Sequence, residues 1–171
     1  MFLRCLEIPF FLFLNTLQSQ KTYTVDEAKR ILERFCAYRE RCHKEVEEKL
    51  RSLKMIPEAQ ELILMHLMEH NFLNEERFAK AFARGKFSIK KWGRIKIKRE
   101  LQIRAISNYN IKTAMQEIDE KDYSQTLEQI ATKKAALIKD SDPYKRRHKL
   151  AQFLISKGYE NNLVYDLVRK F

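Results

Sequence analysis

A leucine-anchored helical pattern returns twice along this chain, and that recurrence constrains the fold more than any single residue does. Leu50, Leu101 and Leu154 align, 51 and then 53 residues apart. Five residues after each anchor stands an apolar residue behind a turn: Met55, Ile106 and Tyr159. Eight or nine residues further on come Ile63 and Leu64, Ala114 and Met115, and Leu167 and Val168. Nine residues before each anchor lie Arg41, Trp92 and Lys145, which the pattern places in basic turns. A period this long exceeds that of two-helix repeats and suits three helices per unit. One such unit buries little apolar surface, so neighbouring units must stack to make a core. The expectation is an all-α chain of three tandem three-helix repeats forming an elongated, curved helical body. The units run over 22–73, 74–119 and 120–171, behind an N-terminal extension at 1–21.

Local signals agree with that period. Thr24-Val25-Asp26-Glu27 has capping-box spacing, in which a hydroxyl and a carboxylate satisfy orphan N–H groups. Behind it Ala28, Ile31, Leu32 and Phe35 fall at i, i+3, i+4 and i+7, one apolar helix face. Asn74 caps another helix, with Glu75 and Glu76 in its first turn, where acids complement the macrodipole. Ile97 and Leu101 share a face after Gly93, and a further helix follows Ser107. Asp142-Pro143 reads as a cap and a first-turn proline, and Gly158 as a left-handed helix end. With only three Gly and three Pro to punctuate it, the chain reads as about nine helices and no strand beyond Thr24.

Charge is concentrated. The stretch from Arg84 to Arg104 holds nine Lys or Arg against one acid, Glu100, for a net +8. Lys145-Arg146-Arg147-His148-Lys149 adds +4. The whole chain is +11, which leaves everything else at −1. Cations gathered this way on a folded scaffold point to a polyanion partner. The candidate contacts are Arg84, Lys86, Lys90, Lys91, Trp92, Arg94, Lys96, Lys98, Arg99 and Arg104, followed by Lys145, Arg146, Arg147 and Lys149. Arg94 and Lys98 are i, i+4 neighbours, on a face away from Ile97 and Leu101, and therefore point outward. In the second cluster cations sit at a helix N-terminus, where the macrodipole opposes them. Trp92 could stack on a base, but packing between units suits it better beside Gly93. Tyr109, Tyr123, Tyr144 and Tyr159 read as core residues.

Cys5, Cys36 and Cys42 leave one thiol unpaired in any disulfide scheme, which fits a reducing, cytoplasmic setting. Ile8 to Leu14 is an apolar run too short to span a bilayer as a helix. With Arg4 before it, the first twenty residues read as an extension or mis-assigned start ahead of a signal-like segment. Among catalytic patterns, His66-Leu67-Met68-Glu69-His70 has the H-x-x-E-H form of inverted zinc proteases. It lacks a third ligand or any supporting motif, so a helix C-terminus is the better reading. Cys36, Cys42 and His43 lack zinc-finger spacing. No Gly-rich phosphate loop or G-x-S-x-G elbow is present. The residues alone thus describe a binding protein with no cofactor and no catalytic or metal site. The alternatives are a sequence-nonspecific nucleic-acid binder and, remotely, a zinc hydrolase using His66, Glu69 and His70.

From Tyr23 to Phe171 the chain resembles the RecX family of bacterial recombination regulators. The resemblance is carried by Phe72-Leu73-Asn74-Glu75-Glu76-Arg77-Phe78-Ala79, by Arg84-Gly85-Lys86 running on to Lys91-Trp92-Gly93, and by Ile97-Lys98-Arg99-Glu100-Leu101. Pro143-Tyr144-Lys145-Arg146-Arg147 and Leu154-Ile155-Ser156-Lys157-Gly158-Tyr159 complete it. The family usually carries Gly before the apolar turn residue of each repeat. Here Lys54 and Ala105 stand in that place, and only Gly158 keeps it. The resemblance implies three three-helix units without enzymatic activity. It further implies a monomer that binds the RecA recombinase in the groove of the RecA–DNA filament, touching single- and double-stranded DNA. There it would restrain filament extension, ATP hydrolysis and strand exchange in recombination, DNA repair and the SOS response.

Overall fold

A computed structural model describes residues 22–171; the proposed extension at 1–21 lies outside these described residues. Nine α-helices and no strand occur among them. The first three are α1 (Val25–Tyr38), α2 (His43–Ser52) and α3 (Pro57–Glu69). Then come α4 (Glu75–Lys90), α5 (Arg94–Ile103) and α6 (Asn108–Met115). The last are α7 (Glu120–Leu137), α8 (Pro143–Lys157) and α9 (Asn161–Val168). Each consecutive triplet packs on itself, as α1 on α3, α4 on α6 and α8 on α9. Side chains set the starts. Thr24 and Glu27 complete both bonds of the capping box. Asn74, Ser107, Asp119 and Asp142 accept first-turn N–H groups.

The repeat resides in how the middle helices end. The backbone oxygens of Leu50, Leu101 and Leu154 accept the N–H groups of Met55, Ile106 and Tyr159 at 3.2, 3.1 and 3.3 Å. That bond, with the shorter one inside it from the preceding residue, is a Schellman turn. It requires a left-handed residue. Lys54 (φ 59°) and Ala105 (φ 57°) take the conformation that Gly158 (φ 91°) takes in the third unit. The geometry survives loss of glycine because each anchor leucine is fully buried. Burying such a side chain contributes about 1.5–3 kcal/mol, enough to hold a residue in a conformation that costs about 1–2 kcal/mol without glycine.

Adjacent units are joined by polar contacts, and among the described residues no hydrogen bond or ion pair runs from the first unit to the third. The polar contacts between units thus join neighbours along the chain. At the first junction the Arg77 guanidinium donates to Glu40 Oε1 (2.6 Å), Asn71 Oδ1 (2.9 Å) and the backbone oxygens of Asn71 and Phe72. The end of α1, the turn after α3 and the start of α4 are thereby held on one side chain. Cys42, fully buried, enters the apolar cluster of the second and third units. The remaining core of the first unit is a separate cluster around Leu32, Leu50 and Leu67.

A candidate cationic nucleic-acid interface

The α4–α5 corner is built by backbone, not by charge. Lys91 closes α4 in a left-handed turn (φ 53°), and Gly93 caps α5. The three N–H groups at the start of α5, from Gly93 to Ile95, then find acceptors in the third unit. Gly93 donates to Lys157 O at 2.9 Å, Arg94 to the Tyr123 hydroxyl at 3.0 Å and Ile95 to Gly158 O at 3.0 Å. The N-terminus of α5 therefore abuts the C-terminus of α8, positive dipole end against negative. This explains how α5 opens on a cation with no acid in its first turn. Tyr123 is fully buried and donates its own proton to Glu160 Oε2 at 2.6 Å. Burial, then that hydrogen bond, raises its phenol well above the usual range. Tyr159, also buried, donates to Lys91 O at 3.3 Å and is pushed up to about 12 by burial.

This corner divides the cations into two sets. Arg84 pairs with Glu117 at 2.8 Å. Arg94 pairs with Glu120 at 2.8 Å, donates to Ile118 O and lies 4.2 Å over the Tyr123 ring. Arg104 pairs with Glu100 at 2.7 Å and covers Phe82. Lys149 pairs with Asp140 at 2.8 Å; that hydrogen bond holds the Asp140 carboxyl below its usual range. Lys86 and Lys96 sit 5.0 and 4.7 Å over the Trp92 ring, and Lys96 also reaches Ser156 O. Trp92 is partly buried against the core, so packing occupies much of its surface. Lys90, Lys91, Lys98, Arg99, Lys145, Arg146 and Arg147 make no ion pair among the described residues. All but half-buried Lys91 are exposed. Lys98 and Arg99 are exposed on α5, Arg99 opposite fully buried Ile97 and Leu101 and Lys98 at the flank of that face. Arg94 does not project with them: its side chain is only 19% exposed and turns toward the third unit.

The second cluster lies in a helix and not in a turn. α2 and α5 each begin seven residues before their anchor leucines, whereas α8 begins eleven before Leu154. Asp142 and Pro143 start it one turn early, and that added turn carries Lys145 and Arg146, with Arg147 directly behind it. Lys145 therefore occupies the first helical turn, while Trp92, its counterpart by spacing, precedes one.

Two tyrosine expectations are overturned. Tyr109 and Tyr144 are 75% and 79% exposed, because each falls in the first turn of its helix on the face away from the packing neighbours. For Tyr144 the sequence does carry a signal. Tyr144, Arg147, His148 and Ala151 recur at i, i+3, i+4 and i+7 and define a face apart from buried Leu150 and Leu154. In the zinc-like pattern, His66 Nε2 meets Glu33 Oε1 at 2.7 Å, its ring stacks on His70 at 4.2 Å, and His70 Nδ1 meets His66 O at 2.9 Å. Among the described residues no three His, Cys, Asp or Glu come together to hold a metal ion. Cys36 and Cys42 are free and buried. No described helix is long and apolar enough to cross a membrane.

Three stacked helix triplets with unpaired cations on α5 and α8 define an all-α helical repeat protein with a cationic surface. Residues 74–115 match the RecX second three-helix domain and residues 120–168 the RecX third three-helix domain. The chain belongs to the RecX family. It is 31% identical over 129 residues to the regulatory protein RecX of Clostridium perfringens strain 13, covering 74% of this chain and 60% of that protein. It is 25% identical over 146 residues to RecX of Streptomyces coelicolor, covering 85% and 78%. The match thus spans about three fifths of the clostridial relative's length. The crystal structure of RecX from Lactobacillus salivarius superposes with a TM-score of 0.75 at 21% identity, covering 85% of this chain and 95% of that one. At that identity the likeness concerns the fold.

Proposed function

We propose that this chain is a non-enzymatic, monomeric cytoplasmic regulator of the RecA recombinase. It lies along the RecA–DNA filament and restrains filament extension, ATP hydrolysis and strand exchange, and so acts in recombination, DNA repair and the SOS response. The observation that carries this reading is family membership joined to unpaired cations on two successive three-helix units. Cations on successive stacked units can follow a long polyanionic groove. Lys98, Arg99, Lys145, Arg146 and Arg147 face phosphate or partner carboxylates. Arg84, Arg94, Arg104 and Lys149, already paired within the chain, mainly hold the surface in shape. Each phosphate neutralised steepens the salt dependence of binding by about 0.9 on duplex and about 0.7 on single strands.

The test is RecA-catalysed ATP hydrolysis on single-stranded DNA, with this protein added at up to stoichiometric amounts. Inhibition that weakens on Lys98→Glu or Arg146→Glu is the expected result. Undiminished hydrolysis with DNA binding intact would overturn it and leave a sequence-nonspecific nucleic-acid binder.

A further inference from the structure

A cleft of about 290 Å³ lies between α8 and α9. Its floor is apolar: Ala151 and Val168, 4% and 5% exposed. Tyr144 and Tyr165, residues 79% and 53% exposed, line it, and neither phenol has a hydrogen-bond partner among the described residues. The core does not need these rings, since Tyr123 and Tyr159 are the tyrosines that fill it. Cations stand at the rim. Arg147 has no ion pair, and Arg169 has only Asp166 at 3.7 Å, with both side chains above 70% exposed and so well screened. His148 completes the rim.

Two open rings, an apolar floor and guanidinium groups at the edge match one ligand chemistry: a flat aromatic group carried on an anionic backbone. We infer that the α8–α9 cleft is a stacking site for unpaired bases of single-stranded nucleic acid, with Arg147 and Arg169 meeting the flanking phosphates. Aromatic platforms beside cationic tracks bind single strands in this way. Duplex DNA does not fit the site, because its bases are already stacked on one another. An acidic protein segment would use the cations and leave the rings idle. The inference goes beyond filament regulation and rests only on the chain meeting nucleic acid, so it is tested without RecA.

Fluorescence anisotropy of the full chain with a short labelled oligothymidylate, and with an abasic oligonucleotide of equal length, separates the alternatives. Wild type should bind the base-bearing strand more tightly. Tyr144→Ala and Tyr165→Ala should each lose roughly 5- to 100-fold on it and little on the abasic strand. Tyr144→Phe and Tyr165→Phe, which keep the ring, should bind like wild type. Alanine variants that bind oligothymidylate as wild type does, or that lose equally on the abasic strand, would overturn the assignment. So would polyglutamate binding that depends on the two rings, which would make the occupant an acidic protein segment. If RecA inhibition persists while this test fails, filament regulation stands without it.

Discussion

Gly93 and Gly158 meet backbone to backbone: a Cβ on Gly93 would lie 2.1 Å from the Gly158 carbonyl oxygen. One on Gly158 would lie 2.3 Å from the Lys96 Cβ, at a φ of 91° that already disfavours any side chain. The junction between the second and third units depends on this approach, because it brings α5's orphan N–H groups to α8's orphan carbonyls.

Gly93→Ala must therefore push the two units apart. The expected loss is about 2–4 kcal/mol, read as a lower denaturant midpoint, with Gly158→Ala behaving alike. Lys96→Ala, which keeps the backbone approach, should leave the midpoint nearly unchanged. Equal stability of Gly93→Ala and wild type would mean that the junction is not close-packed in solution.

Ala105→Gly should stabilise the chain. Its left-handed backbone costs about 1–2 kcal/mol with a Cβ present, and glycine returns about 0.4–1 kcal/mol through the freer unfolded chain. A net gain of roughly 0.5–1 kcal/mol should appear as a raised thermal midpoint, with binding to DNA unaltered.

Charge removal should separate structure from binding. Arg94→Ala removes the hydrogen bond to the Ile118 carbonyl, the cover over the Tyr123 ring and the Glu120 pair; Glu120 is 71% exposed, so solvent weakens that pair. A destabilisation of about 1–2 kcal/mol is expected. Lys98→Ala and Arg99→Ala should instead leave the melt unchanged. Each should make the salt dependence of DNA binding shallower by about 0.7–0.9 for every phosphate it no longer neutralises. The reverse pattern would exchange the two roles.

Burial pushes the Cys36 thiol up from 9.0 to about 11. The folded state then holds a proton that the unfolded chain releases. The associated stability is complete below about pH 9 and is lost as pH rises toward 11. Cys36→Ala should flatten that alkaline limb in denaturation curves taken across the range. At a pH of about 8, mass spectrometry should find Cys36 and Cys42 slow to alkylate until denaturant is added.

Much of the architecture was legible because it rests on local rules. Helix periodicity and caps at Thr24, Asn74, Ser107 and Asp142 act within four residues, and the 51–53 residue recurrence of Leu50, Leu101 and Leu154 marks the Schellman turns directly. Lys54 and Ala105 hid the left-handed backbone of two of those turns, since nothing local announces a left-handed non-glycine. The longer α8 was hidden too, because counting back from Leu154 does not reveal that Asp142 starts the helix a turn early.

The charge of the surface was likewise plain in the sequence, while its division was not. By composition and spacing alone the chain was bound to be a basic, all-α, three-unit repeat, because periodicity and capping are short-range and charge is additive. Which cations stay unpaired, why Arg94 turns inward, and why Tyr123 is buried depend on residues distant in sequence. Glu117 reaches Arg84 only when the second unit folds back on itself, and Glu120, Glu160 and the Gly158 carbonyl arrive from the third unit only when it stacks on the second.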